Sequence, residues 1–375
     1  MTRVGIDIRA LGGRRTGIGR YIKQLLFALA RVDRNNHYIL FYNSLKSNPP
    51  VDVPDAGNFS ITRSRFPNKL LDFAWSHYGV PTVERFTGNL DVFHSPHYQM
   101  APTSRAAGVL TVYDLTFILQ PELAIPSAVR HYAPKLKRYL KRAKYVVAIS
   151  KDAAADIIDN FDFPSERIAV IYPGTTSMKE SSEKDIERVR KKYGIDSGYI
   201  FFIGCIEPRK NLTRLIRAFE VSNLSGDFQL VLAGPKGWSS DEIYDTWRSS
   251  KCADRVLWPG YVDDDDIAPL YSGAAFFAYP SLKEGFGLPL LEAMSVGCPV
   301  LTSNISAMPE AAGEAARYVD PHDVDSIADG LITLAGDTKL RDEFSRLGRI
   351  RAGLFDWDKS AEAMIDVYMM ASERD

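Results

Sequence analysis

Short runs of apolar residues alternate with stretches of helical periodicity almost from one end of this chain to the other. That is the pattern of βα units stacked around parallel sheets. In the first half it predicts strands over residues 3–9, 38–42, 59–65, 91–94, 109–113, 145–149 and 168–172. Helices are expected there over 18–31, 127–143 and 152–160. Residues 180–192 are charged, helical in period and poor in large apolar side chains, and they follow Pro173-Gly174. They read as a linker region entering a second domain. The same grammar then restarts, with strands over 199–204, 228–234, 255–258, 275–279, 300–303 and 316–319, each followed by a helical segment. A last helix, over about 357–372, lies beyond the final strand. Two consecutive doubly wound α/β domains place ligand-binding residues at the carboxyl ends of the strands.

Composition narrows the classes. The 375 residues exceed what one core usually organises. A hydrophobic share of 45%, a charged share of 25% and a net charge of −1 are those of a globular protein. The near-neutral balance argues against nucleic acid as a partner. The first residues read as a strand rather than a signal peptide. No apolar run approaches the roughly 20 residues of a membrane-spanning helix. Cys205, Cys252 and Cys298 are scattered and lack CxxC spacing, so neither a disulfide framework nor a zinc site is expected, and a reducing, cytoplasmic setting fits.

The densest chemistry lies in Pro280-Ser281-Leu282-Lys283-Glu284-Gly285-Phe286-Gly287-Leu288-Pro289-Leu290-Leu291-Glu292. Gly285 and Gly287 let backbone approach a ligand closely. Pro289 suits a first helical turn, whose free amides at a positive dipole end seat an anion. Carboxylates flanking an anion site are odd unless they accept hydrogen bonds from hydroxyls. A ligand with an anionic segment between two polyols fits, and a nucleotide-sugar has that shape. An exposed glycine turn before an ordinary helix is the plain alternative. Earlier, Gly204-Cys205-Ile206-Glu207-Pro208-Arg209-Lys210-Asn211-Leu212 follows a strand. Asn211 is expected to N-cap a helix over 212–221, which leaves two adjacent cations at a helix mouth with nothing internal favouring them. A diphosphate would neutralise both; a solvated basic turn is the alternative.

The two stretches resemble the Glu-x7-Glu and Arg-Lys-Asn-Leu motifs of the retaining glycosyltransferases of family four. The resemblance covers nearly all of the chain. It implies the GT-B fold, two Rossmann-like doubly wound domains facing a central cleft. Residues 1–175 would form the acceptor-side domain and 176–356 the nucleotide-sugar domain, with helix 357–375 packing back on the first. By the same resemblance Glu284 holds hydroxyls of a donor hexose, helped by the amides of Gly285, Phe286, Gly287 and Leu288. Glu292 accepts the ribose hydroxyls, while Arg209 and Lys210 hold the diphosphate. No bound metal or other cofactor is expected, the two cations substituting for a divalent ion. The implied function is transfer of a hexose, with retention, to a hydroxyl of a saccharide or lipid-linked acceptor in surface-polysaccharide synthesis. GDP-mannose leads as donor. A UDP-sugar-dependent transferase and a nucleotide-sugar-binding protein that has lost catalysis are the alternatives.

Other motifs add weaker expectations. Thr16-Gly17-Ile18-Gly19-Arg20-Tyr21 opens a helix after the first strand; in the resembled family this loop faces donor phosphates, although Gly17 and Gly19 also suit a plain tight turn. In Thr111-Val112-Tyr113-Asp114-Leu115 the family's histidine is replaced by Tyr113, leaving either a phenol against the donor sugar or an unfilled role. Asp114 remains to orient or deprotonate an acceptor hydroxyl. His97 either contacts the acceptor or is structural. Asp263-Asp264-Asp265-Asp266 invites a metal, but helix capping and dipole complementarity explain it. Tyr261 and Val262 resemble the loop that packs on the nucleobase, and Asn304-Ile305-Ser306-Ala307-Met308-Pro309-Glu310 resembles a later signature opening a short helix.

The segment 130–144 carries seven cations, Arg130, Lys135, Lys137, Arg138, Lys141, Arg142 and Lys144, outside a stripe of Leu136, Leu140, Ala143 and Val147. Upstream, Leu70, Leu71, Phe73, Trp75 and Tyr78 interleave with Lys69 and Arg85. Such a surface suits peripheral contact with an anionic membrane, or it is a solvated helix beside a core helix.

Overall fold

The computed structural model describes residues 1–12, 17–45, 49, 52–175 and 178–373. The chain divides into two compact units, Met1–Gly174 with Asp356–Asp375, and Thr175–Phe355.

The first unit is built on a seven-stranded parallel sheet. Its strands are β1 (Arg3–Asp7), β2 (His37–Asn43), β3 (Phe59–Ser64), β4 (Val92–Ser95), β5 (Ala107–Val112), β6 (Tyr145–Ala148) and β7 (Ile168–Val170). Their order is β3-β2-β1-β4-β5-β6-β7. Helices α1 (Gly17–Val32), α2 (Asn68–His77), α3 (Glu84–Thr87), α4 (Thr116–Leu119), α5 (Pro126–Arg142) and α6 (Lys151–Phe161) connect them. Central strands read as unbroken apolar runs because both faces are covered; Val4, Ile6, Phe93, Val109 and Val146 are wholly buried. The C-terminal helix Trp357–Ser372 packs in this unit. Its Tyr368 meets His94 of β4, its Asp358 pairs with Arg31 of α1, and its Trp357 lies edge-on to Tyr21.

The second unit has a six-stranded parallel sheet: β8 (Gly198–Ile203), β9 (Phe228–Ala233), β10 (Val256–Gly260), β11 (Phe276–Tyr279), β12 (Val300–Ser303) and β13 (Ala316–Val319). The order is β10-β9-β8-β11-β12-β13. Its helices are α7 (Glu183–Tyr193), α8 (Leu212–Val221), α9 (Asp241–Ser249), α10 (Asp264–Ser272), α11 (Leu288–Ser295), α12 (Met308–Ala312), α13 (Val324–Gly336) and α14 (Thr338–Ala352). In both sheets the strand order reverses beside the first strand, between β1 and β4 and between β8 and β11. Ligands of doubly wound folds bind beyond the carboxyl ends at that switch point.

Several expectations need correction. Residues 180–192 are no linker: α7 docks on α10 through buried Asp266, which accepts from Arg188, Lys192 and Tyr193 at 2.6 Å each. The aspartate run places Asp264, Asp265 and Asp266 in the first turn of α10, as dipole complementarity expects, but its capping role is not seen. Asp263 stands at the N-cap of α10 without a side-chain cap and pairs with Lys192. Asn211 is not a side-chain cap either; it adopts φ 61°. Val147 belongs to β6, so the buried face of α5 is Leu136, Tyr139 and Leu140. Leu71 and Trp75 of α2 are core residues, whereas Leu70, Phe73 and Tyr78 are exposed. Thr16, in the glycine-rich turn, lies outside the described residues.

Candidate active site

The loops after β8 and β11 carry the candidate residues of the second unit, at its sheet's switch point. Glycine opens the backbone there. A Cβ on Gly234, at the end of β9 with φ 134°, would lie 1.8 Å from the carbonyl oxygen of Gly204. Past β8 the chain makes a 3-10 turn, Pro208–Lys210, and enters α8. The left-handed conformation of Asn211 leaves its amide free to donate to the carbonyls of Pro280 (3.0 Å) and Pro321 (2.7 Å). Leu282 N–H donates to the carbonyl of Arg209 at 2.9 Å. The two motif loops are thus stitched together by main chain.

That stitching brings Arg209, Lys210 and Glu284 into one ionic cluster. Arg209 Nη1 lies 2.6 Å from Glu284 Oε2 and Lys210 Nζ 2.5 Å from Oε1. Arg209 also forks onto Glu207 Oε1 through Nε (3.1 Å) and Nη2 (2.8 Å) and donates to the carbonyl of Lys283. Tyr279 Oη donates to Glu284 Oε1 at 3.0 Å and accepts from Lys210 Nζ. Hence the expectation that nothing internal favours the paired cations is wrong: two carboxylates and a phenol do. Burial opposes the charge on Glu284, but Arg209 and Lys210 outweigh it and hold the carboxyl down at about 2. Burial, then Arg209, pushes the Lys210 ammonium below its ordinary value.

Glu284 is fixed along its main chain as well, since its N–H donates to Ser306 Oγ (3.2 Å), which donates back to its carbonyl (3.0 Å). Gly287, at φ 105°, turns the chain into α11, whose first residue is Leu288. Phe286 is buried edge-on to Phe355 at 5.2 Å. Glu292 is buried on α11. Tyr261 is exposed with its hydroxyl near Asp264, and Val262 is buried.

The remaining candidates lie in the first unit. Gly17 and Gly19 open α1. Tyr113, buried just past β5, donates its hydroxyl to the carbonyl of Pro96 at 2.8 Å, and burial raises its phenol far above the ordinary value. Asp114 Oδ1 accepts the amide of Thr116 at the start of α4. His97 Nε2 is 3.0 Å from Asp7 Oδ2 while Nδ1 accepts the amide of Gln99, so both ring nitrogens are engaged within the protein. Arg9 forks onto Asp7 and reaches Asp72. Sequence reasoning missed Glu207, Tyr279 and Ser306; the position of Tyr279 at a strand's carboxyl end was the available signal.

Residues 15–176 match the family described as Glycosyltransferase Family 4, and residues 185–351 match Glycosyl transferases group 1. The chain is 30% identical over 375 residues to O-antigen chain mannosyltransferase B of Escherichia coli, covering 95% of this chain and 96% of that one. This chain belongs to the family-four glycosyltransferases. The GT-B fold is shared with sucrose-phosphate synthase of Thermosynechococcus elongatus, at TM-score 0.77 and 20% identity, covering 99% of each chain. Anabaena HepE in complex with UDP and glucose has the same fold, at TM-score 0.74 and 17% identity over 99% of this chain and 100% of that one.

Proposed function

We propose that this glycosyltransferase moves mannose from GDP-mannose, with retention, to a hydroxyl of a saccharide or lipid-linked acceptor in surface-polysaccharide synthesis. One observation carries the reading: Arg209 and Lys210 are held against Glu284 at the switch point of the second sheet. Similarity along the whole chain to an O-antigen mannosyltransferase supports the sugar.

In this reading the second unit takes the donor and the first unit, with the C-terminal helix, takes the acceptor. Arg209 and Lys210 bind the diphosphate and stabilise the charge that develops as it leaves, so that no divalent ion is required. Glu284 accepts from hexose hydroxyls beside the amides of Gly285 to Leu288, Glu292 accepts from the ribose, and Tyr261 and Val262 border the base. Asp114 orients the acceptor hydroxyl. Attack on the donor's own face, with the departing phosphate taking the proton, gives retention. Among the described residues no helix is long and apolar enough to cross a membrane. The exposed Leu70, Phe73 and Tyr78 near the basic α5 support peripheral contact with an anionic membrane from the cytoplasmic side.

Incubation with GDP-mannose and with UDP-glucose, on an alkyl-linked mannoside acceptor, tests the reading. The expected product forms from GDP-mannose and is an α-mannoside by NMR. Transfer from the uridine donor alone overturns the donor assignment, and a β-product overturns retention.

A further inference from the structure

Tyr279 carries a hydroxyl that packing does not require. It ends β11, 1% exposed, with its ring stacked on Phe202 and Phe277 at 5.6 and 5.4 Å. The strands around it hold phenylalanine at 201, 202, 276 and 277, so a phenyl ring would fill the same space. Other buried tyrosines of this unit donate to main chain: Tyr199 to Leu270 (2.7 Å) and Tyr271 to Pro289 (3.3 Å). Tyr279 spends its hydroxyl on charged groups, Lys210 and Glu284, and Lys210 Nζ also stands 4.8 Å above its ring centroid.

We propose that Tyr279 is a positioning residue for transfer, whose hydroxyl keeps the Lys210 ammonium protonated and aimed at the diphosphate once Glu284 turns to the donor's hydroxyls. The inference rests on the donor reading above. Lys210 has two acceptors among the described residues, Tyr279 Oη and Glu284 Oε1. When the second is drawn to the sugar, the first remains. The other groups facing Lys210 are Arg209 and Glu207 on its own turn and Cys205 just before it. Arg209 and burial both favour loss of its proton, and a hydroxyl acceptor opposes that loss.

The test is the affinity of the full chain for GDP by calorimetry between pH 6 and 10, for wild type and Tyr279→Phe. The variant should bind about tenfold more weakly at neutral pH, and its alkaline loss of affinity should begin about one pH unit lower. Adding Lys210→Arg, which stays charged, should remove that pH difference. A parallel fall at every pH, or no fall, overturns the inference. If neither GDP nor UDP binds wild type, the donor reading falls with it; binding with an unshifted alkaline limb sinks this inference alone. Should Tyr279→Phe fail to fold, 3-fluorotyrosine at 279 weakens the same acceptor, and an unmoved limb again overturns the proposal.

Discussion

Arg209 Nη1 stands 2.6 Å from Glu284 Oε2, so the guanidinium expected to hold the donor's diphosphate is already occupied by the carboxylate expected to hold its sugar. Lys210 sits on the other oxygen of the same group. Glu284 is thus an internal anion between the two cations, and in the proposed reading an arriving diphosphate competes with it. Glu284→Gln should therefore leave GDP affinity unchanged or raise it by up to about tenfold, while transfer drops by about a hundredfold or more. Calorimetry and a transfer assay on the same preparation check this. Weaker GDP binding in a folded Glu284→Gln protein would contradict the competition.

Arg209→Ala and Lys210→Ala act in the opposite sense. Each removes a charged donor worth about 1.5–3 kcal/mol to a phosphate, so GDP binding should weaken roughly 10- to 100-fold and turnover fall with it. Glu292→Ala should lose affinity for the nucleoside part, read as weaker GMP binding with an unchanged thermal midpoint. GMP binding at the wild-type level in that variant removes the ribose role.

The central strands of the two sheets were legible because parallel strands covered on both faces are written as unbroken apolar runs; at the edges, Ala316–Val319 also matches the expected bounds although Arg317 is exposed. Helix α7 was legible as a helical period but not as a docked element, because a single residue, Val189, is buried on it. Its docking is ionic, through Asp266, and an apolar period carries no trace of a partner many residues away. Asn211 shows a similar limit: the residue type suits a cap, yet its left-handed backbone and the carbonyls of Pro280 and Pro321 give its amide another use. Motif spacing put forward Arg209, Lys210 and Glu284 as candidates, and the structure brings the three together. Spacing did not reveal that they touch, since a loop-to-loop stitch decides that, nor did it single out Tyr279 and Ser306, which matter through what they hold.

The face of α2 turned from the core exposes Leu70 (60%) and Phe73 (51%) beside Lys69 and His77, and Tyr78 follows it at 72%. Arg142 of α5 donates to the carbonyl of Trp75 on α2, which brings the basic helix against this one. Sedimentation with vesicles containing anionic phospholipid should recover the wild-type chain, and the double variant Leu70→Ser, Phe73→Ser should cut the bound fraction by about tenfold or more. Equal recovery of both proteins, or equal binding to neutral vesicles, would rule out this face as the contact.

His94 supplies a pH dependence of stability. The ring is fully buried, with Nδ1 2.7 Å from Tyr368 Oη on the C-terminal helix and Nε2 2.8 Å from Thr111 Oγ1. Burial, and secondly His97, drives its pKa down to about 3. An unfolded histidine takes up a proton near pH 6.5. Between those values the unfolded chain binds a proton that the native chain refuses, so stability is complete above about pH 6.5 and declines as the pH falls toward 3. At pH 5 the loss from this residue is on the order of 2 kcal/mol. His94→Gln keeps a donor and an acceptor but does not titrate. Urea unfolding at pH 7 and pH 5, followed through the transition that includes the C-terminal helix, should show a smaller drop in the variant than in wild type. Equal drops would mean that the burial of His94 does not set the acid limit.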